Sequence, residues 1–198
     1  MVKIRQALSG NNNHFWGTNP RKYITIHETA NTSKGANAEM HARYINNGSS
    51  ATWHYTVDDK EVVQHYLDTR QCWHAGDGNG AGNTQSIGIE ICVNSDGDFN
   101  KTIANAEALV KMLMGKYKIP LSNVVQHNHW SGKDCPRNLR HGTKGINWNQ
   151  FKARLTTTTA KPATSNRLYR VQVGAFENKA NAIRLRDDLI KQGYKALS

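Results

Sequence analysis

The stretch "YITIHET", residues 23–29, decides how the rest of the chain is read. Its β-branched and aromatic residues make a run long enough for a sheet strand. Successive side chains on a strand point to opposite faces, which sets His27 opposite Ile24 and Ile26. "SIGIEICV", residues 86–93, is a second such run and carries Glu90. "WHYTVDDKEVVQHY", residues 53–66, reads as two strands joined at a turn of Asp58, Asp59 and Lys60. A helical period takes over later, where Ile103, Ala106, Leu109, Val110, Leu113, Met114 and Tyr117 recur on one face and stop before Pro120. Further helices are predicted over Ala38–Ile45 and Trp148–Leu155. Together these elements predict an α/β domain, a sheet covered by helices. The glycine-rich "HAGDGNGAGNTQS", residues 74–86, is predicted as a long loop leading into the Glu90 strand, and loops held on rigid strands commonly bind ligands.

The chain has 198 residues, enough for one well-buried domain and something smaller. "TTTTAKPATSN", residues 156–166, lacks large apolar residues and reads as a linker. It divides residues 1–155 from residues 167–198. In the second part "RLYRVQVGAF" alternates like a strand, "NKANAIRLRDDLIKQG" reads as a helix ending at Gly193, and "YKALS" as the start of another strand. So few elements rarely bury enough surface to fold alone, and the expectation is the first half of a small domain.

A net charge of +11 calls for a polyanionic partner: nucleic acid, an acidic membrane surface or an anionic cell wall. Charge alone does not choose among them. No stretch approaches the roughly 18 apolar residues of a membrane span, and "MVKIRQALSG" has no apolar run typical of a secretory signal. The expectation is a soluble protein made in the cytoplasm. Cys72, Cys92 and Cys135 are an odd number, which argues against a disulfide framework. Burial is the plain expectation for Cys72 and Cys92.

"QHNHWSGKDCP", residues 126–136, brings two histidines and a cysteine close together. If the segment is a strand, His127 and His129 share a face and both could reach one metal, with Cys135 returning from the next loop. A rival set takes one of the pair and adds the distant His27. Zinc tolerates either, since catalytic zinc sites use three protein ligands and keep a fourth position for water.

The order "YITIHET", "SIGIEIC", "QHNHWSGKDCP" resembles the type 2 N-acetylmuramoyl-L-alanine amidases, a zinc family that includes prophage endolysins and is related to peptidoglycan recognition proteins. The resemblance covers roughly residues 1–155 and implies a central mixed β-sheet flanked by helices. It implies His27, His127 and Cys135 as ligands of a Zn2+ ion, because in related endolysins the second histidine lies three residues before the tryptophan, here Trp130. His129 is then expected to orient a loop or face solvent. Glu90 matches the general base, and Lys133 the lysine that stabilises charge on the carbonyl oxygen. Two imidazoles and a thiolate leave zinc a formal +1, which makes a separate cation at that oxygen more useful. His54 and His74 fall where the family lines its substrate groove, and Asn83, in the loop before Glu90, is a third candidate for touching substrate. Glu28 is expected on the far face of its strand as a surface or salt-bridged carboxylate, and Trp53 replaces a tyrosine that some members use catalytically. "YRVQVGAF" and the following helix resemble the start of the sporulation-related repeat, a peptidoglycan-binding domain.

The resemblance implies cleavage of the amide between N-acetylmuramic acid and L-alanine in bacterial peptidoglycan. Action at the cell wall without an apolar leader fits a prophage endolysin released through holes made by a holin, with a host autolysin exported another way as the alternative. The positive charge fits attraction to anionic wall polymers, and the expectation is a monomer with no nucleic-acid partner and no integral membrane segment. A peptidoglycan-recognition module that binds without cutting is the alternative; such relatives commonly lack the zinc cysteine, so Cys135 and Glu90 argue against it. A nucleic-acid binder with structural zinc would want four protein ligands at paired spacings, which are absent from the sequence.

Overall fold

The computed structural model describes residues 3–10, 14–156 and 175–192. The chain divides into two compact units, Met1–Thr158 and Thr159–Ser198. In the first unit the elements are β1 (Ile4–Gln6), β2 (His14–Thr18), β3 (Tyr23–Glu28), α1 (Ala38–Asn46), β4 (Tyr55–Val57), β5 (Val62–Gln64), β6 (Arg70–Cys72) and α2 (Ala81–Gln85). They continue with β7 (Ser86–Ile91), α3 (Phe99–Tyr117), a 3-10 turn at Leu121–Asn123, β8 (Val124–Gln126), α4 (Asn128–Ser131), α5 (Arg137–His141) and α6 (Trp148–Thr156).

Six strands form one sheet in the order β1-β5-β4-β7-β3-β8, and β2 pairs with β6 in a separate two-stranded ribbon. β4 and β5 run antiparallel, the hairpin read from residues 53–66, while β1 on β5 and the β4-β7-β3-β8 series pair in parallel. The sheet is therefore mixed, and the expected α/β architecture holds.

Alternation explains how the two faces differ. Ile24 and Ile26 of β3 and Ile87, Ile89 and Ile91 of β7 join Leu109, Val110 and Leu113 of α3 and Phe151 of α6 in one apolar core. All five isoleucines are fully buried, and each contributes about 1.5–3 kcal/mol by leaving water. The intervening residues Thr25, His27, Gly88 and Glu90 face the other way. Register sets Thr56 opposite Glu90 and Glu90 opposite His27. Past the end of β8, the His127 N–H donates to Ile26 O at 3.1 Å and extends this row to a third parallel strand. These residues stand at the carboxyl ends of parallel strands, where open α/β sheets bind their ligands.

α3 begins where Asp98 accepts the N–H of Lys101 and ends at Lys118, whose φ of 55° breaks the helix before Pro120. The glycine-rich segment differs from expectation, since it contains α2. The Asp77 carboxylate accepts the N–H groups of Gly82 and Asn83 at 2.7 and 3.1 Å and thereby starts a helix that composition alone reads as loop. No helix among the described residues is long and apolar enough to cross a membrane.

In the second unit, α7 (Lys179–Lys191) begins at Asn178, whose side chain accepts the N–H of Ala180. The strands expected over 167–176, apart from residues 175–176, which are not strand, and over 194–198, and nearly all of the 156–166 linker, lie outside the described residues.

Candidate metal centre

His27 leaves the end of β3, His127 follows β8, and Cys135 returns on the loop between α4 and α5. One ligand atom from each lies within 4.8 Å of the others, and all three residues are buried. His27 Nδ1 and His127 Nδ1 are 2.9 Å apart. Two nitrogens on one tetrahedral zinc would stand about 3.3 Å apart, so the pair fits a shared ion with little adjustment.

The residues around this cluster hold it in place. The segment after Gln126 is a helix start rather than a strand, so His127 and His129 do not share a face. His129 is exposed and packs edge-on against Trp130, with ring centroids 4.6 Å apart. Asn128 Nδ2 donates to Gly132 O at 2.8 Å and to Lys133 O at 3.0 Å, and its N–H donates to Cys135 O at 3.0 Å. Through its side chain and its backbone N–H, Asn128 folds the loop that carries Cys135 back toward His127.

Glu28 corrects an expectation. It faces away from His27, but it is buried rather than on the surface. Its carboxylate accepts the N–H groups of Asn138 and Leu139 at 2.8 and 3.0 Å and Asn138 Nδ2 at 2.7 Å, which caps α5. The Glu28 N–H also points at Cys135 Sγ, 3.4 Å away. Nothing at the start of α5 in the sequence announces this cap, because the acceptor lies 110 residues earlier than Asn138.

The protonation states suit cation binding. Burial, together with the positive charge of neighbouring groups, holds His27 well below the usual imidazole range. Burial likewise pushes His127 down to about 4, helped by Lys133. Both rings are neutral at pH 7 and have a lone pair to give. Burial pushes the Cys135 thiol up to about 12, with the Glu90 carboxylate adding to the effect. A coordinated cation reverses that preference and takes the thiolate.

Glu90 sits at the edge of this cluster, with Oε1 3.9 Å from His27 Nδ1. Burial pushes its carboxyl up to about 8, while the Lys133 ammonium opposes the rise. Glu90 Oε2 and His127 Nε2 are buried and have no hydrogen-bond partner among the described residues. Lys133 is itself exposed.

The expected groove residues divide. His54 is fully buried; its Nδ1 accepts the Gly88 N–H at 3.0 Å and its Nε2 donates to Arg70 O at 2.9 Å. With both nitrogens engaged, it ties β7 to β6 and cannot reach a ligand. Asn83 is also fully buried, accepting the N–H groups of His74 and Ala75 at 2.8 and 2.7 Å and donating to Gly78 O at 2.9 Å. It pins the loop instead of lining a groove. His74 places Nδ1 3.0 Å from His27 Nε2. Trp53 is core, with Nε1 donating to Thr56 Oγ1 at 2.8 Å, and Cys72 and Cys92 are buried thiols.

The profile of the N-acetylmuramoyl-L-alanine amidases, a second line of observation, matches residues 17–138, the part of the chain that builds this cluster. The chain belongs to that amidase family. The sporulation-related (SPOR) domain profile matches residues 165–198. Among amidases of this name, XlyA of Bacillus subtilis is 52% identical over 157 residues, covering 77% of this chain and 51% of XlyA. CwlH of the same organism is 46% identical, covering 78% of this chain and 61% of CwlH. The chain thus spans about half to three-fifths of the length of these curated relatives. The solved catalytic domain of XlyA superposes with a TM-score of 0.73 at 50% identity, covering 78% of this chain and 99% of that domain.

Proposed function

We propose that the chain is a zinc-dependent N-acetylmuramoyl-L-alanine amidase that hydrolyses the amide between the lactyl group of N-acetylmuramic acid and the L-alanine of the stem peptide. The observation that carries this reading is the convergence of His27, His127 and Cys135 within 4.8 Å, in a chain of this family. His27 and His127 would hold zinc through neutral imidazoles and Cys135 through its thiolate. Zinc, when bound, supplies Lewis acidity and makes water a usable nucleophile near neutral pH.

The chain's own groups do the rest. Glu90 accepts the proton of the attacking water and passes it to the departing alanine amine. Burial raises this carboxyl, and a bound cation beside it would draw it back toward the ionised form that can accept a proton. Lys133 stabilises the negative charge that grows on the carbonyl oxygen, a contribution of about 3–4 kcal/mol for one such donor. The row of Glu90 and His27 on adjacent strands holds base and ligand in fixed register, so little reorganisation is needed during reaction.

The substrate is bacterial peptidoglycan, and the site of action is the cell wall, reached after holin-mediated release as for a prophage endolysin. The net charge of +11 favours approach to anionic wall polymers. We take the working form to be a monomer. Digestion of purified cell wall followed by mass spectrometry of the fragments tests the reading. Free N-terminal alanine on released stem peptides is the expected product; new reducing ends, cleaved cross-links or bound but intact wall would refute it.

A further inference from the structure

We propose that His74 is a positioning residue that accepts the Nε2–H of His27 and so aims the Nδ1 lone pair of His27 at the shared cation. The inference rests on the metal reading above and concerns how this chain prepares one ligand.

His27 Nδ1 faces His127 Nδ1 at 2.9 Å and Glu90 Oε1 at 3.9 Å, which makes it the nitrogen on the cluster side. To give a lone pair there, the neutral ring must carry its proton on Nε2. That N–H is buried and needs an acceptor, and His74 Nδ1 lies 3.0 Å away. The two rings meet edge-on at 85° with centroids 5.0 Å apart, an approach compatible with this hydrogen bond.

Accepting at Nδ1 leaves the His74 proton on Nε2, which is buried without a hydrogen-bond partner among the described residues, so backbone contacts and packing hold His74. Its backbone N–H is held by Asn83 Oδ1 at 2.8 Å, and the same oxygen takes the N–H of Ala75 at 2.7 Å. The imidazole lies against Gly88 of β7, where an added Cβ would stand 2.9 Å from three ring atoms. Any side chain at residue 88 would evict the ring, so the glycine supplies the close approach. Asn83 and Gly88 hold His74, and His74 holds His27, an outer shell built from a loop and a strand. Partners of this kind typically change metal affinity 10–100-fold when removed.

The test uses the full chain loaded with zinc and two substitutions. His74→Leu removes the acceptor, whereas His74→Asn places an amide oxygen near the position of Nδ1. Zinc affinity is read by competition with a chromophoric chelator, and the metallated nitrogen of His27 by imidazole 15N spectra. The expected result is 10–100-fold weaker zinc binding in His74→Leu, affinity close to wild type in His74→Asn, and His27 bound through Nδ1 with a proton on Nε2. Equal affinity in wild type and His74→Leu, or His27 protonated on Nδ1, would overturn the proposal. If His74→Leu does not fold, the asparagine variant and the wild-type spectra decide alone, a tenfold loss in His74→Asn counting against it. If the wild-type chain takes up no zinc, the proposed function fails separately, and the same spectra still decide the hydrogen bond: a His27 proton on Nε2 upholds it and one on Nδ1 overturns it.

Discussion

Glu28 accepts the backbone N–H of Asn138 at 2.8 Å, joining the residue after one candidate ligand to the helix that follows another. Through this contact the end of β3 and the start of α5 move as one piece, with His27 on one side and Cys135 on the other. Charge-assisted hydrogen bonds of this type contribute about 1.5–3 kcal/mol each. Glu28→Ala is expected to destabilise the amidase unit by about 2–4 kcal/mol, measured by urea unfolding. A change below about 0.5 kcal/mol, the scale of an ordinary surface substitution, would remove Glu28 from this role.

The two histidines of "QHNHW" are expected to separate cleanly. His127→Ala should lose most bound zinc, and His129→Ala should keep it, because the His129 ring is exposed against Trp130. Metal analysis of the purified variants checks this, and the reverse pattern would exchange their roles.

Glu90→Gln should lower turnover at least 10²–10⁴-fold while folding and zinc content persist, since the substitution removes proton transfer but keeps size and placement. Near-normal release of N-terminal alanine would show that another group is the base.

Stability should depend on pH through His65, a buried ring whose Nε2 lies 2.8 Å from Thr56 Oγ1. Burial, then the charges of His41, Arg5 and His54, hold it down to about 3, against 6.5 for an ordinary imidazole. Between those values the unfolded chain binds a proton that the folded chain refuses, so stability is full above pH 6.5 and falls as the pH drops toward 3. The slope for one such group reaches about 1.4 kcal/mol per pH unit. Burial lowers His41 and His54 in the same direction. Urea midpoints at pH 7.5 and about pH 5 measure the effect, and His65→Gln should flatten it. Equal slopes in wild type and variant would assign the pH dependence elsewhere.

Periodicity made the sheet and the long helix readable. The isoleucines of β3 and β7 keep a strict period of two, and the apolar residues of α3 keep a helical one, because one face of each packs into the apolar core while polar residues fill the other, also largely buried, face of the strands. The cluster was legible only through the order of three motifs, since spacing alone left His127 and His129 equivalent. Contacts between side chain and distant backbone stayed hidden. Asp77 starts α2 inside a glycine-rich run, and Glu28 caps a helix 110 residues away. His54 reads as a groove residue through the resemblance, and Asn83 through its place in the loop before Glu90. In the fold their polar atoms are consumed by backbone groups, a pairing that no sequence period records.

The most direct measurement is X-ray absorption at the zinc edge of the loaded protein. The account predicts one sulfur at about 2.3 Å, with nitrogen and oxygen at about 2.0–2.1 Å completing four ligands, and loss of the sulfur signal in Cys135→Ser. A zinc shell without sulfur, or with more than one, would contradict it.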